Sequence, residues 1–191
     1  GLVNNKVYCI TKDKNGDFWF GTGNGISRYN GQSFINYSGE NGPGNADIKS
    51  ILEDKKGNLW LGSYGKGLYR FDGSTFHQYS TQDGLPDDVI TQVVLSQEGD
   101  ILIGTNNGIA VLKGFDDKRK IIDFQNNSKT LPIKVHNTLS NNELSEYVPV
   151  FEIYNASTGY QIKDVNRGQH AIYLDKKGGL WIATGSEQSG L

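Results

Sequence analysis

The sequence predicts an all-β fold assembled from four-stranded antiparallel units. Three observations carry that prediction. Of the 191 residues, 25 are Gly, 18 are Asn, 21 are Phe, Trp or Tyr, and only 5 are Ala. Gly and Asn punctuate turns, aromatics favour strands, and a shortage of Ala and Met disfavours long helices. The second observation is an internal repeat with a step of 41 residues from Trp19 to Trp60. The third is a turn signal, Asp-x-x-Gly, that returns at the same offset within each unit.

The first unit opens with Val7-Tyr8-Cys9-Ile10-Thr11-Lys12-Asp13-Lys14-Asn15-Gly16-Asp17-Phe18-Trp19-Phe20-Gly21-Thr22. It returns as Ile48-Lys49-Ser50-Ile51-Leu52-Glu53-Asp54-Lys55-Lys56-Gly57-Asn58-Leu59-Trp60-Leu61-Gly62-Ser63. A third copy spans Ile90 to Thr105, with Gly99 at the turn and Leu102 in the Trp slot. A fourth spans Gln169 to Thr184, with Asp175, Gly178 and Trp181. All 3 tryptophans share one repeat position.

Each unit resolves into four strands, A to D. In the second copy these are about Ile48–Glu53, Asn58–Gly62, Gly67–Phe71 and Thr75–Tyr79. Between A and B, Asp13, Asp54 and Asp175 can accept backbone N–H groups, while Gly16, Gly57 and Gly178 take positions that favour positive φ. Ser96 and Gly99 form a weaker version. Between C and D, Asn30-Gly31 and Asp72-Gly73 suit type I′ hairpins. A four-stranded unit every 40 or so residues is the signature of a β-propeller blade. The expected organisation is a partial propeller with units at about 1–42, 43–84, 85–112 and 169–191, the last incomplete. The remaining 113–168 is either a degenerate blade or an insertion. The two-step spacing favours the blade, with strand-like runs at Val148–Tyr154 and Tyr160–Lys163.

Charge and motifs exclude several functions. The net charge is −2 and the pI near 5.9, whereas nucleic-acid binders carry a basic face. No apolar run is long enough to span a membrane, so no membrane contact is expected. His77, His136 and His170 are scattered without a second ligand at metal spacing, so neither metal nor cofactor is expected. Catalytic and phosphate-loop motifs are absent. Gly21-Thr22-Gly23-Asn24-Gly25 leads into a strand, not a helix, and reads as a hairpin. Asp13, Asp54 and Asp175 lie a blade apart and cannot converge, so they read as turn caps. The tryptophans read as packing between blades, and Cys9 as an ordinary core residue.

Geometry nominates one face for binding. Strand direction alternates, so the B–C loops and the D–A connections emerge together, opposite the short A–B and C–D turns. The variable segments all fall there, and function concentrates on such loops over a rigid scaffold. Asn24, Tyr64, Lys66, Asn106 and Asn107 are the candidates for stacking on and hydrogen-bonding a polar ligand.

The second unit, from Ile48 through Glu53-Asp54-x-x-Gly57-x-Leu59-Trp60-Leu61-Gly62-Ser63 to Gly67-Leu68-Tyr69-Arg70-Phe71-Asp72, resembles the two-component regulator propeller repeat. Gly84-Leu85-Pro86-Asp87-Asp88-Val89-Ile90 and Gly1-Leu2-Val3-Asn4-Asn5-Lys6-Val7 are similar to that family's Gly-Leu-Pro-x-x-x-Val connection between blades. The resemblance covers 1–112 and about 165–191. The third copy departs from it, with Ser96 and Leu102 in place of Asp and Trp. The resemblance implies the periplasmic sensor region of a hybrid histidine kinase of the Bacteroidetes type, non-catalytic and responding to glycans or oligosaccharides. It marks no ligand residues by motif. The alternatives are a protein-interaction scaffold, or a propeller lyase or other glycan-active enzyme. Seven units at the observed step need about 287 residues, so the chain is expected to be a piece of a larger propeller. Its open blade faces are expected to be covered by self-association, by the parent's remaining blades, or by closure of a tight five-unit ring.

Overall fold

A computed structural model of the chain describes residues 1–113, 151–160, 162, 164–165, 171–177 and 179–184. Strands β1 (Val7–Lys12), β2 (Phe18–Thr22), β3 (Gly25–Tyr29) and β4 (Phe34–Tyr37) form the first antiparallel meander. β5 (Ile48–Glu53), β6 (Leu59–Ser63), β7 (Leu68–Phe71) and β8 (Phe76–Tyr79) form the second. β9 (Ile90–Leu95), β10 (Ile101–Thr105) and β11 (Gly108–Leu112) are joined by β12 (Phe151–Tyr154) in the third. β13 (Ile172–Leu174) and β14 (Leu180–Ile182) pair as the start of a fourth. The only helical segments among the described residues are short 3₁₀ turns at Gly39–Asn41, Thr81–Asp83 and Ala156–Thr158. The chain is an all-β partial propeller.

The third sheet corrects the organisation expected from sequence. Its outer strand is β12, paired with β11 from Ile109↔Tyr154 to Leu112↔Phe151, so the unit does not end at 112. Residues 114–150 separate strands C and D of that blade along the chain and lie outside the described residues, as does most of the stretch read from sequence as a degenerate blade or an insertion. Behind β12, Asn155 caps Ala156–Thr158 and Gly159 ends it in the left-handed region. Ser80 and Gly84 do the same around Thr81–Asp83. Tyr160, expected in a strand, therefore lies in a connection between blades.

Successive sheets stack face to face, and the packing follows the repeat. The first sheet presents Trp19 and Ile26 to Ile48, Leu59, Leu61, Tyr69 and Phe71 of the second. The second presents Trp60, Leu68 and Tyr79 to Ile90, Val93, Ile101 and Ile103 of the third. Leu85 of the inter-blade connection is buried in that same cluster. The third presents Leu102, Ile109 and Val111 to Ala171 and Ile172.

Each tryptophan is tied to its own turn. Asp54 Oδ1 accepts the backbone N–H groups of Lys56 and Asn58, both at 2.9 Å, while Oδ2 accepts the Trp60 indole N–H at 2.9 Å. Asp13 with Trp19, at 2.8 Å, and Asp175 with Trp181, at 3.0 Å, repeat the arrangement. In the third blade Ser96 Oγ accepts only the Asp100 N–H, at 3.0 Å, and Leu102 has no N–H to place. Gly16, Gly57 and Gly99 adopt φ of 91°, 91° and 98°, as the turn reading requires; Gly178 lies outside the described residues. Trp181 departs from the packing expectation: it is 64% exposed.

The C–D hairpins centre one residue later than the Asn-Gly and Asp-Gly dipeptides suggest. Backbone bonds Asn30 to Ser33 and Asp72 to Thr75 enclose Gly31-Gln32 and Gly73-Ser74. Asn30 and Asp72 act instead through their side chains, accepting the N–H groups two and three residues on. Such caps need an Asx residue first and Gly second, which explains how the same dipeptide serves a different turn.

Candidate functional site

The B–C loops and D–A connections do share one end of the molecule, and backbone hydrogen bonds lock them together. Gly25 donates to Ala46, Tyr64 to Asp47, Gly67 to Asp88 and Asn106 to Val89, at 2.8–3.3 Å. The hydroxyl ending each strand B secures its own loop: Thr22 to Gly25, Ser63 to Gly67 and Thr105 to Gly108, all on carbonyls at 2.6–2.9 Å. All three hydroxyl residues are fully buried. The Thr/Ser ending the Gly-Thr, Gly-Ser motif was visible in the sequence, but its job was not.

The inner strands β1, β5 and β9 are edge strands of their sheets and line a cleft of about 690 Å³. Each carries an irregularity near its start. Pairing skips from Val7 to Cys9, from Ile48 to Ser50 and from Ile90 to Gln92. A bulged residue leaves the ladder and its side chain is re-aimed; here the bulged residues are Tyr8, Lys49 and Thr91, and all three line the cleft.

The next residue in each strand reaches the following blade. The Cys9 thiol donates to the Ile48 carbonyl at 3.8 Å, Ser50 Oγ accepts from Val93 N–H at 3.0 Å, and Gln92 Oε1 accepts from Ile172 N–H at 2.8 Å. Cys9 is thus a half-buried inter-blade contact. Burial pushes its thiol up to about 12, which keeps it protonated and a donor.

At the loop end of the cleft four side chains meet. Lys49 Nζ sits 3.0 Å from the centroid of the Tyr8 ring and 5.8 Å from that of Tyr64. Asp47 Oδ2 accepts from Lys49 Nζ at 3.2 Å and from the Tyr8 hydroxyl at 3.1 Å. Of the residues nominated from sequence, Tyr64 belongs here and is 43% exposed. Asn24, Lys66, Asn106 and Asn107 stand on the same loops but do not line the cleft. Asn107 is committed to the fold, donating to the Pro86 carbonyl at 3.1 Å, and the Lys66 carbonyl accepts from Gln78. Tyr8, Asp47 and Lys49 were missed because they belong to strand A and its approach, where the pattern reads only as an edge.

Among the described residues the charged lining of the cleft consists of Asp47 and Lys49. His77 faces Asp72 at 3.4 Å in an outer hairpin, while His136 and His170 lie outside the described residues. Among the described residues no three His, Cys, Asp or Glu side chains come together in a way that could hold a metal. No helix among them is long and apolar enough to cross a membrane.

The sequence model of the two-component regulator propeller family matches residues 1–24 and 41–65, the first unit's opening and the linker and inner half of the second. Those two segments are similar to the two-component regulator propeller repeat. No curated protein matches the chain. Among solved structures, the chain is similar to the extracellular domain of a B. thetaiotaomicron protein assigned to a hybrid two component system. The identity is 24% and the TM-score 0.65, over 96% of this chain and 21% of that one. A second B. thetaiotaomicron extracellular domain, assigned to a one component system, gives 22% and 0.57 over the same shares. A catalytically inactive variant of virginiamycin B lyase from Staphylococcus aureus gives 15% and 0.58, over 96% of this chain and 52% of that one. These likenesses are of fold. The propeller repeats described here span about a fifth of the length of the first two proteins.

Proposed function

We propose that the chain is a non-catalytic, ligand-recognising segment of the extracytoplasmic sensor region of a hybrid two-component histidine kinase, exposed to the periplasm and responding to an oligosaccharide. The observation that carries the reading is the cleft along the inner strands, with tyrosine rings and a charge pair at its loop end, in a partial propeller of which residues 1–24 and 41–65 match the two-component regulator propeller model. A preformed concavity with a few convergent polar groups is what ligand recognition needs. Catalysis needs in addition a positioned acid, base or nucleophile, and the cleft's charged groups are engaged with each other. In this reading the exposed blade faces around Ile10 and Trp181 are covered by further blades of the parent propeller.

Calorimetric titration of the purified chain against a panel of oligosaccharides, with chromatography of the recovered sugars, tests the proposal. Saturable binding with every sugar recovered intact is expected. Cleavage of any member makes the segment an enzyme, and a panel without a single binder removes the oligosaccharide.

A further inference from the structure

We infer that the Tyr8–Asp47–Lys49–Tyr64 cluster binds an uncharged pyranose through two adjacent hydroxyls, and selects against uronic acids. The inference rests on the reading above and narrows it to one site and one ligand class. Its starting point is the bulges. Tyr8 and Lys49 occupy the same repeat position in neighbouring blades, and both are turned out of their ladders. That is why an ammonium group from one blade lies on the ring of the other, 3.0 Å from its centroid.

Three features set the ligand's chemistry. Among the described residues the charged groups lining the cleft are Asp47 and Lys49, 3.2 Å apart and opposite in sign. An anionic ligand therefore meets no net positive field and brings its charge beside a carboxylate. A ligand with two adjacent hydroxyls fits both partners: one hydroxyl donates to Asp47, and the next accepts from Lys49.

The second feature is the Tyr64 ring, 43% exposed beside that pair, a platform for a flat C–H face with a polar rim. The third concerns an organic cation, which two aromatic rings and a carboxylate suit in principle. Here the chain's own Lys49 already fills that place. The cleft volume of about 690 Å³ accommodates more than one sugar ring, and the free edges of β1, β5 and β9 offer backbone donors and acceptors to the rest.

The test is calorimetry with trisaccharides of glucose, galactose and mannose, each against its uronate counterpart. The proteins are the wild-type chain, Tyr64→Ala and Asp47→Asn. A neutral trisaccharide binds the wild type at least about tenfold more tightly than its uronate, and Tyr64→Ala weakens it by about tenfold or more. Asp47→Asn leaves Lys49 uncompensated, so the preference moves toward the uronate, a reversal that a merely structural defect does not produce. Circular dichroism confirms that both variants are folded; each change is at a partly exposed side chain outside the strands. A wild-type preference for uronates, or a neutral sugar bound equally by all three proteins, overturns the inference and leaves the sensor reading standing. Failure of every sugar to bind the wild type overturns the inference and removes the oligosaccharide from the reading it rests on.

Discussion

Trp60 shows how one residue type at one repeat position has different consequences along the chain. It is fully buried, stacked on Tyr79 at 6.2 Å and anchored to Asp54. Trp60→Ala should cost about 3–5 kcal/mol in urea melts, the range for deleting a large buried aromatic. Trp181 keeps the same bond to Asp175 but is 64% exposed; Trp181→Ala should cost under about 1 kcal/mol. Equal losses at the two sites would show that Trp181 is covered. Asp13 adds a pH dependence. Burial pushes its carboxyl up, but the Trp19 indole N–H and the backbone N–H groups of Asp17 and Asn15 outweigh that and hold it below its ordinary value. A depressed folded value means the contribution is complete above the unfolded value of about 3.9 and is lost as pH falls through the folded one. Melts from about pH 6 down to about pH 2.5 should therefore show a stability loss below about pH 4. That slope should be shallower in Asp13→Asn, which keeps an acceptor without a titrating group. An unchanged slope would assign the acid sensitivity to other carboxylates.

At the scale of elements, the strands of the first two units and their order were legible because the repeat and its Asx-started A–B and C–D turns mark their bounds. The inter-blade fit was only partly so. Gly62 stands where strand B passes under the next blade: a Cβ there would lie 2.8 Å from Ile90 Cγ2 and 3.3 Å from Val93 Cγ2. Gly21 meets Cys9 and Ile48 in the same way. The Gly after Trp-Leu and Trp-Phe is thus a spacing device rather than a turn residue. Gly62→Ala should destabilise the chain by about 1–3 kcal/mol, an overpacking cost, and in an Ile90→Ala background, which lacks the Cγ2 that the new methyl would meet, the same change should cost less. An equal cost in both backgrounds would place the strain in the backbone. The bulges of strand A were not legible, and over 113–168 the sequence left a degenerate blade and an insertion both open, for a related reason. A bulge changes the register by one residue without changing the residue types, and an insertion of about one repeat leaves the period intact. Tyr64 stands out as a candidate in the sequence because it sits in a loop that varies between units, whereas Lys49 and Tyr8 hide in a strand that looks regular.

At the scale of the whole molecule, a stack of blades holds its stability in nearest-neighbour contacts, so each blade depends on how many faces are covered. The second and third blades are covered on both sides. Every residue of β6 and β10 is buried, whereas no residue of β1 is fully buried and β14 has two of its three residues exposed. Ile10 at 60% and Phe18 at 41% exposure mark the uncovered side of the first sheet, and Tyr173 and Trp181 that of the β13–β14 pair. Local opening takes the least-covered units first, because it breaks one interface there and two in the middle. Native-state amide exchange should accordingly be slowest at Leu59–Ser63 and Ile101–Thr105, faster in Val7–Lys12, and fastest in Leu180–Ile182. The gradient should persist in mild urea, with β13 and β14 reaching full exchange well before β6. Uniform protection across all four units would mean that something covers the outer faces in solution, and its dependence on protein concentration would tell a second copy from closure within one chain.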